Sequence, residues 1–259
     1  MAIYLDHAAT TPLRPEVLEA YVSALGVVGN PSSIHSQGQQ ARRMLEEARE
    51  RIAASLGADP VEVTFTSGGT EAVNLAVKGL YWARGRRRIL TSRAEHHATL
   101  DAVEWLAAHE GAVVDWIPVD ELGRLDLAYL AAALADDVAL VSVLWANNEV
   151  GTIQPVAEVV ALAAAHGVPV HCDAVSAYGH VPVALDGLAT LSVSAHKVGG
   201  PVGIGALVIS RSASVTPLLH GGNQQRARSG TQDAAGAVAF GVAATLVERG
   251  LPVDTALRD

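Results

Sequence analysis

Only two of the 18 basic residues of this chain are lysines, Lys78 and Lys197; the other 16 are arginines. Lys78 falls towards the C-terminal end of a helical pattern, where a cation suits the helix dipole. Lys197 lies in Ser194-Ala195-His196-Lys197-Val198-Gly199-Gly200-Pro201, among small residues and glycines, a poor setting for a solubilising charge. A lysine amine held there can attach to a carbonyl compound. Asp173 closes the apolar run Val168 to Asp173, where burying a carboxylate is costly without a cationic partner. Ser67-Gly68-Gly69-Thr70 precedes a helical pattern, and glycines at a helix start let backbone N–H groups approach an anion such as phosphate. Plain capping of the helix by Thr70 is the alternative. Glu95-His96-His97 offers a ring or a proton shuttle; adjacent histidines on a helix do not share a face, which argues against a metal pair.

The elements that position these residues follow from periodicity. Residues 36–57 carry Ala41, Leu45, Ala48, Ile52 and Leu56 on one face and stop at Gly57, which predicts a helix. A strand through Val61, Val63 and Phe65 leads to a helix from Thr70 to about Trp82. Strands over 89–92, 113–118, 138–145 and 168–173 alternate with helices over about 98–109, 127–134 and 155–166. Short strands at 191–194 and 204–209 follow with no helix between them, and an Ala/Val-rich helix spans 234–247. Such alternation implies an α/β fold with a mostly parallel, doubly wound sheet, and the late strand pair suggests an antiparallel edge. In open parallel sheets, ligands bind beyond the carboxyl ends of the strands. Each candidate residue is delivered there, together with Asn147-Asn148-Glu149 after the strand ending near Trp145.

One cofactor uses all of these together. Pyridoxal phosphate needs its phosphate cupped, its ring nitrogen held by a carboxylate, its ring faced by a flat group and its aldehyde tethered to a lysine. Taken singly, a lone lysine is commonly at the surface, a strand-end aspartate a cap and a lone histidine part of the core. Their joint delivery to one sheet edge favours the cofactor.

Composition removes other classes. The 259 residues are 50% hydrophobic and 17% charged, with mean hydropathy +0.27, which excludes disorder. No run of about 18 apolar residues spans a membrane, and Met1 to Thr10 does not read as a secretory signal. A formal charge of −9 argues against a nucleic-acid partner. The basic run Arg84 to Arg88 is expected to be a solvated loop. The single cysteine, Cys172, makes neither an internal disulfide nor a cysteine-based zinc site, and a reducing cytoplasm is expected. Metal is not expected. Walker, Gly-x-Ser-x-Gly, His-Glu-x-x-His and Cys-x-x-Cys motifs do not occur at the strand ends.

The chain resembles the cysteine desulfurases of iron–sulfur cluster assembly, in the class V aminotransferase group of fold-type I pyridoxal-phosphate enzymes. The matching stretches are Tyr4 to Pro12, Gly29 to Ser33, Thr66 to Glu71, Glu95 to His97, Asn147 to Gly151, His171 to Ala174, Ser194 to Lys197 and Arg228 to Thr231. The resemblance implies that Lys197 binds the cofactor aldehyde and moves the substrate Cα proton, that Asp173 pairs with the ring nitrogen, and that His96 stacks on the ring and takes part in proton transfer. It implies that Gly69, Thr70, Ser194 and His196 hold the phosphate, and that Asn148 approaches the ring oxygen. Thr231 would reach the phosphate of a partner subunit, hence a homodimer. The implied reaction converts L-cysteine to L-alanine and leaves a persulfide for a sulfur-acceptor or scaffold protein.

Three departures qualify the resemblance. Ser176 replaces the family's usual glutamine and is too short to reach the ring oxygen without water. Ala195 stands where many members carry glycine, and the 223–228 loop is one residue short. The family's catalytic cysteine and substrate-carboxylate arginine belong to a C-terminal part that this sequence does not include. Residues 1–259 are therefore expected to form the cofactor-binding large domain, with 1–15 and about 240–259 contacting or leading into an absent small domain, and to be inactive alone. Cys172 cannot substitute, because neighbours on a strand face opposite ways. A related class V activity (selenocysteine lyase, epimerase or aminotransferase) and a non-catalytic fragment are the alternatives.

Overall fold

The computed structural model describes residues 3–256, and side chains as far as Val247. Residues 1, 2 and 257–259, the outer ends of the segments expected to lead towards a small domain, lie outside the described residues. The chain forms α1 (Pro15–Leu25), α2 (Ser36–Ser55), β1 (Val63–Thr66), α3 (Gly69–Arg84), β2 (Arg88–Ser92), α4 (His97–Glu110) and β3 (Val113–Ile117). It continues with α5 (Leu127–Ala133), β4 (Val138–Leu144), α6 (Val156–Ala164), β5 (Val170–Asp173), β6 (Thr190–Ser194), β7 (Gly205–Ile209) and α7 (Ala234–Ala256).

The strands form one sheet in the order β1-β7-β6-β5-β4-β2-β3. Pairings among β6, β5, β4, β2 and β3 are parallel, while β7 runs antiparallel to both β6 and β1. The expected antiparallel edge is thus corrected: the reversed strand is interior and β1 is the edge. The reversal itself has a local reason. The connection from β6 to β7 carries only a short turn (Ala195–Lys197), and without a crossover helix the returning strand can pair only antiparallel. Because β7 is itself reversed, β1 beyond it points the same way as the parallel strands, so its carboxyl end still joins theirs.

Helices cover both faces. The larger core joins Leu45 and Ile52 of α2, Leu130 of α5, Val159 of α6 and Phe240 of α7 to Val143, Cys172, Leu191, Val193 and Val208 of the strands. The opposite face carries Val73, Val77 and Leu80 of α3 and Val103 and Leu106 of α4 against Ile89 and Leu140. Full burial of a leucine or valine here contributes about 1.5–3 kcal/mol.

The helix α1 was not anticipated. It turns Val17 and Ala24 inwards but leaves Leu18, Val22 and Leu25 exposed, so its apolar residues do not mark a single face. Lys78 lies in the middle of α3 rather than in its last turn, and its Nζ sits 4.5 Å from the centroid of the Trp105 ring. The Arg84–Arg88 run is not simply a solvated loop. Arg84 ends α3 and donates to the Val138 carbonyl, and Arg88 opens β2 with ion pairs to Asp115 at 2.9 Å and Asp137 at 2.8 Å. No helix among the described residues is long and apolar enough to cross a membrane.

Candidate active site

The carboxyl ends of β1, β4 and β5, with the turn after β6, surround a cavity of about 250 Å3 lined by Gly69, Thr70, His96, Asn148, Asp173, Ser176, His196 and Lys197. These are eight of the ten residues singled out in the sequence. The remaining wall is apolar: Val73, Ala98, Leu144, Ala146 and Val175, with Ala9 from the N-terminal segment.

Ser67 to Thr70 turns from β1 into α3. Gly68 has φ 151°, a conformation that excludes most side chains, and it is Gly68, not Thr70, that caps the helix. The threonine side chain is therefore not spent on capping and faces the cavity. A Cβ at Gly69 would come within 2.7 Å of Val175, so glycine is required for the turn to sit against the β5 loop. This leaves free N–H groups at the start of a 16-residue helix, an arrangement suited to an anion. Ser194 is not on the cavity surface: it is fully buried beneath Gly69, and its hydroxyl has no partner. Thr231 is likewise not among the lining residues. Its loop is tied to the α3 start by the Arg228–Glu71 ion pair at 2.9 Å.

Asp173 ends β5, and its Oδ1 accepts the Val175 N–H at 2.9 Å. Burial pushes its carboxyl above the usual range, while that hydrogen bond and the nearby His96 and Lys197 pull it down. Its neighbour Cys172 packs wholly into the opposite core, as strand alternation requires, and burial followed by the nearby Asp173 raises its thiol well above the ordinary value. Lys197 lies in the turn after β6, where its Nζ donates to the Ala8 carbonyl. Burial lowers its pKa, against Asp173 and Asp6, which favours the nucleophilic neutral amine. His196 is lowered by burial and by Lys197. His96 caps α4: its Nδ1 accepts the Ala98 N–H at 3.1 Å, which leaves Nε2 to carry the proton.

A strap from the N-terminus closes this arrangement. Thr11 Oγ1 donates to the His196 carbonyl at 2.8 Å and accepts the Gly199 N–H at 2.7 Å, and Thr10 Oγ1 lies 3.2 Å from His196 Nδ1. The sequence expectation for this segment is contact with an absent small domain; among the described residues it also packs on the Lys197 turn. Glu95, quoted only as part of a motif, is buried beside Asp173 and is treated below.

The residues fit a small phosphate-bearing pyridine aldehyde. The helix start supplies an anion cup, Asp173 is a buried carboxylate lacking a fixed ion pair, and a lysine amine of lowered basicity shares the cavity with both. Fold and site together define an α/β protein whose cavity is suited to a carbonyl cofactor.

The comparisons agree. The aminotransferase class-V model matches residues 3–255, and the chain belongs to that family. It is 53% identical to an IscS-like cysteine desulfurase of Mycobacterium tuberculosis, over 98% of this chain and 67% of that protein. It is 46% identical to a cysteine desulfurase IscS of Dictyoglomus turgidum, over 94% of this chain and 63% of that protein. Among solved structures, a NifS-like protein superposes with a TM-score of 0.94 at 38% identity, covering 98% of this chain and 71% of that one. SspA in complex with cysteine gives 0.89 at 35% identity, over 94% and 72%. The chain thus spans about two thirds of the length of the curated relatives it matches.

Proposed function

We propose that this chain is the cofactor-binding part of a pyridoxal-phosphate-dependent cysteine desulfurase, which converts L-cysteine to L-alanine and passes the sulfur on as a persulfide. The observation that carries the reading is the opening of Lys197, Asp173 and the α3 start into one cavity. Relatives named cysteine desulfurases and a neighbour solved in complex with cysteine support the substrate.

When bound, pyridoxal phosphate supplies an electron sink for negative charge at the substrate Cα. The chain's own residues do the rest. Gly69, Thr70 and His196 would hold the phosphate, with Ser194 packed beneath Gly69; Asp173 would keep the ring nitrogen protonated, and His96 would face the ring and take part in proton transfer. Asn148 approaches the ring oxygen; Ser176 is too short to do so without water. Lys197 Nζ would bind the aldehyde and would carry the substrate Cα proton. Thr231 would serve the phosphate of a second copy in a homodimer, in keeping with its being exposed and not lining its own cavity. Residues 1–15 and about 240–259 lead towards the further part that the longer relatives carry.

The sole thiol, Cys172, is buried on the far face of the sheet, so these 259 residues present no cysteine to receive sulfur. These residues alone are therefore expected to bind cofactor without forming persulfide; the sulfur-acceptor protein and the reducing cytoplasm belong to the proposed activity of the whole desulfurase. Pyridoxal phosphate added to the purified chain should give a visible band that borohydride fixes on Lys197, and Lys197→Ala should lose it. Absence of the band from the wild-type chain, or its persistence in Lys197→Ala, would refute the reading.

A further inference from the structure

Behind the cavity lies a carboxyl group that the proposed chemistry does not use. Glu95 sits between the end of β2 and His96, almost fully buried. Its Oε1 accepts the Leu144 N–H at 3.0 Å and the Ser92 hydroxyl at 3.4 Å, and its Oε2 is buried without a partner. Both donors are neutral, and none of the ion pairs among the described residues involves Glu95. A carboxylate so placed would be an unpaired buried charge, which is strongly disfavoured; the acid form, with its proton on Oε2, is not.

The location gives the group a task. Leu144 is in register with Asp173 across β4 and β5, so the bond to Leu144 fixes the Glu95 turn one strand away from the aspartate. A second tie, from Asn147 Nδ2 to the Ala94 carbonyl at 2.9 Å, holds the same turn. His96 follows directly, and its orientation depends on that turn. The groups around Glu95 are Ser92 on β2, the Leu144 N–H on β4, and Cys172 and Asp173 on β5. Two buried carboxyls that act on one another do not both ionise readily at low dielectric. Asp173 has Lys197, His96 and an N–H to favour its anion; Glu95 has no cation, and burial together with Asp173 keeps its proton on.

We propose that Glu95 is a positioning residue of this pocket: a neutral buried acid that pins the His96 turn to the end of β4 and leaves Asp173 as the one carboxylate at the ring-nitrogen end. The proposal rests on the cofactor reading above and adds to it the residue that keeps the charge single.

The test compares Glu95→Gln, which keeps an acceptor and a donor without charge, with Glu95→Ala. The infrared spectrum of the cofactor-free wild-type protein at neutral pH should contain a protonated-carboxyl band that Glu95→Gln lacks. Glu95→Gln should take up pyridoxal phosphate within about two-fold of wild type, with the same pH midpoint for the visible band, whereas Glu95→Ala should weaken uptake about tenfold and move that midpoint. Glutamine behaving like alanine, or alanine behaving like wild type, overturns the proposal while leaving the cofactor reading intact. No uptake by the wild type overturns both. If Glu95→Ala fails to fold, the infrared band decides: a missing protonated carboxyl in the wild type is enough to reject the role.

Discussion

The two faces of the central sheet are built from alternate residues of the same strands, yet they differ in kind. Towards α2, α5, α6 and α7, strands β4 to β7 present Val141, Val143, Cys172, Leu191, Val193, Ala206 and Val208, a continuous apolar layer. Towards α3 and α4, β4 to β6 present Ser142, His171, Asp173, Thr190, Ser192 and Ser194, all buried. Ser142 Oγ, His171 Nε2, Ser192 Oγ and Ser194 Oγ have no hydrogen-bond partner. Strict alternation lets one face be dry while its reverse carries buried polar groups at a cost in stability. The difference teaches that stability and chemistry are separated by a single residue step, and the Cys172–Asp173 pair is the sharpest instance.

The largest effect should come from the dry face. Leu191→Ala removes a fully buried side chain and should lower unfolding free energy by about 2–5 kcal/mol in denaturant titration, with cofactor uptake unchanged in the fraction still folded. A small loss, or a loss of uptake with stability intact, would break the division between the faces.

The polar face should respond the other way. Asp173→Asn should weaken pyridoxal phosphate uptake about 10- to 100-fold by removing a charge-assisted hydrogen bond. Stability of the cofactor-free chain should shift by no more than about 1 kcal/mol, because the carboxyl that is lost is already penalised by burial. Equilibrium dialysis alongside thermal melting would sharpen the comparison.

His171 gives the most conditional effect, smallest of the three at neutral pH and growing only on acidification. It lies two residues before Asp173 on the same face, with Nδ1 3.0 Å from Thr190 Oγ1, and burial lowers its pKa to about 3. In the unfolded chain the ring takes up its proton near pH 6.5, whereas in the fold it does not until about pH 3. Its contribution is therefore complete above pH 6.5 and is lost as pH falls through that window, with a slope of up to about 1.4 kcal/mol per pH unit. His171→Gln should flatten the stability–pH curve between pH 6 and 4; an unchanged slope would show that the imidazole is not kept neutral.

Much of this was legible in the residues. The strands and helices from 36 to 247 follow from periodicity, and eight of the ten candidate site residues meet at one cavity because each follows a strand that points to the same edge. The failures have physical causes. The exposed apolar residues of α1 hide its inward side, and nothing local says that β7 enters the sheet between β6 and β1. Ser194 lies beneath the helix start instead of beside it because Gly69 packs over it, a relation between residues 125 positions apart.

Sequence by itself determined the kind of parts: an amine at 197, an acid at 173, a glycine turn at 68–69, and a thiol that strand alternation must turn away. Those are properties of residue type and short-range geometry. Only the tertiary structure decided that the Ala8–Thr11 strap closes on Lys197 and that Glu95 shares a buried corner with Asp173. Such contacts join distant segments through packing, and their protonation depends on what burial removes from water, which no local pattern encodes.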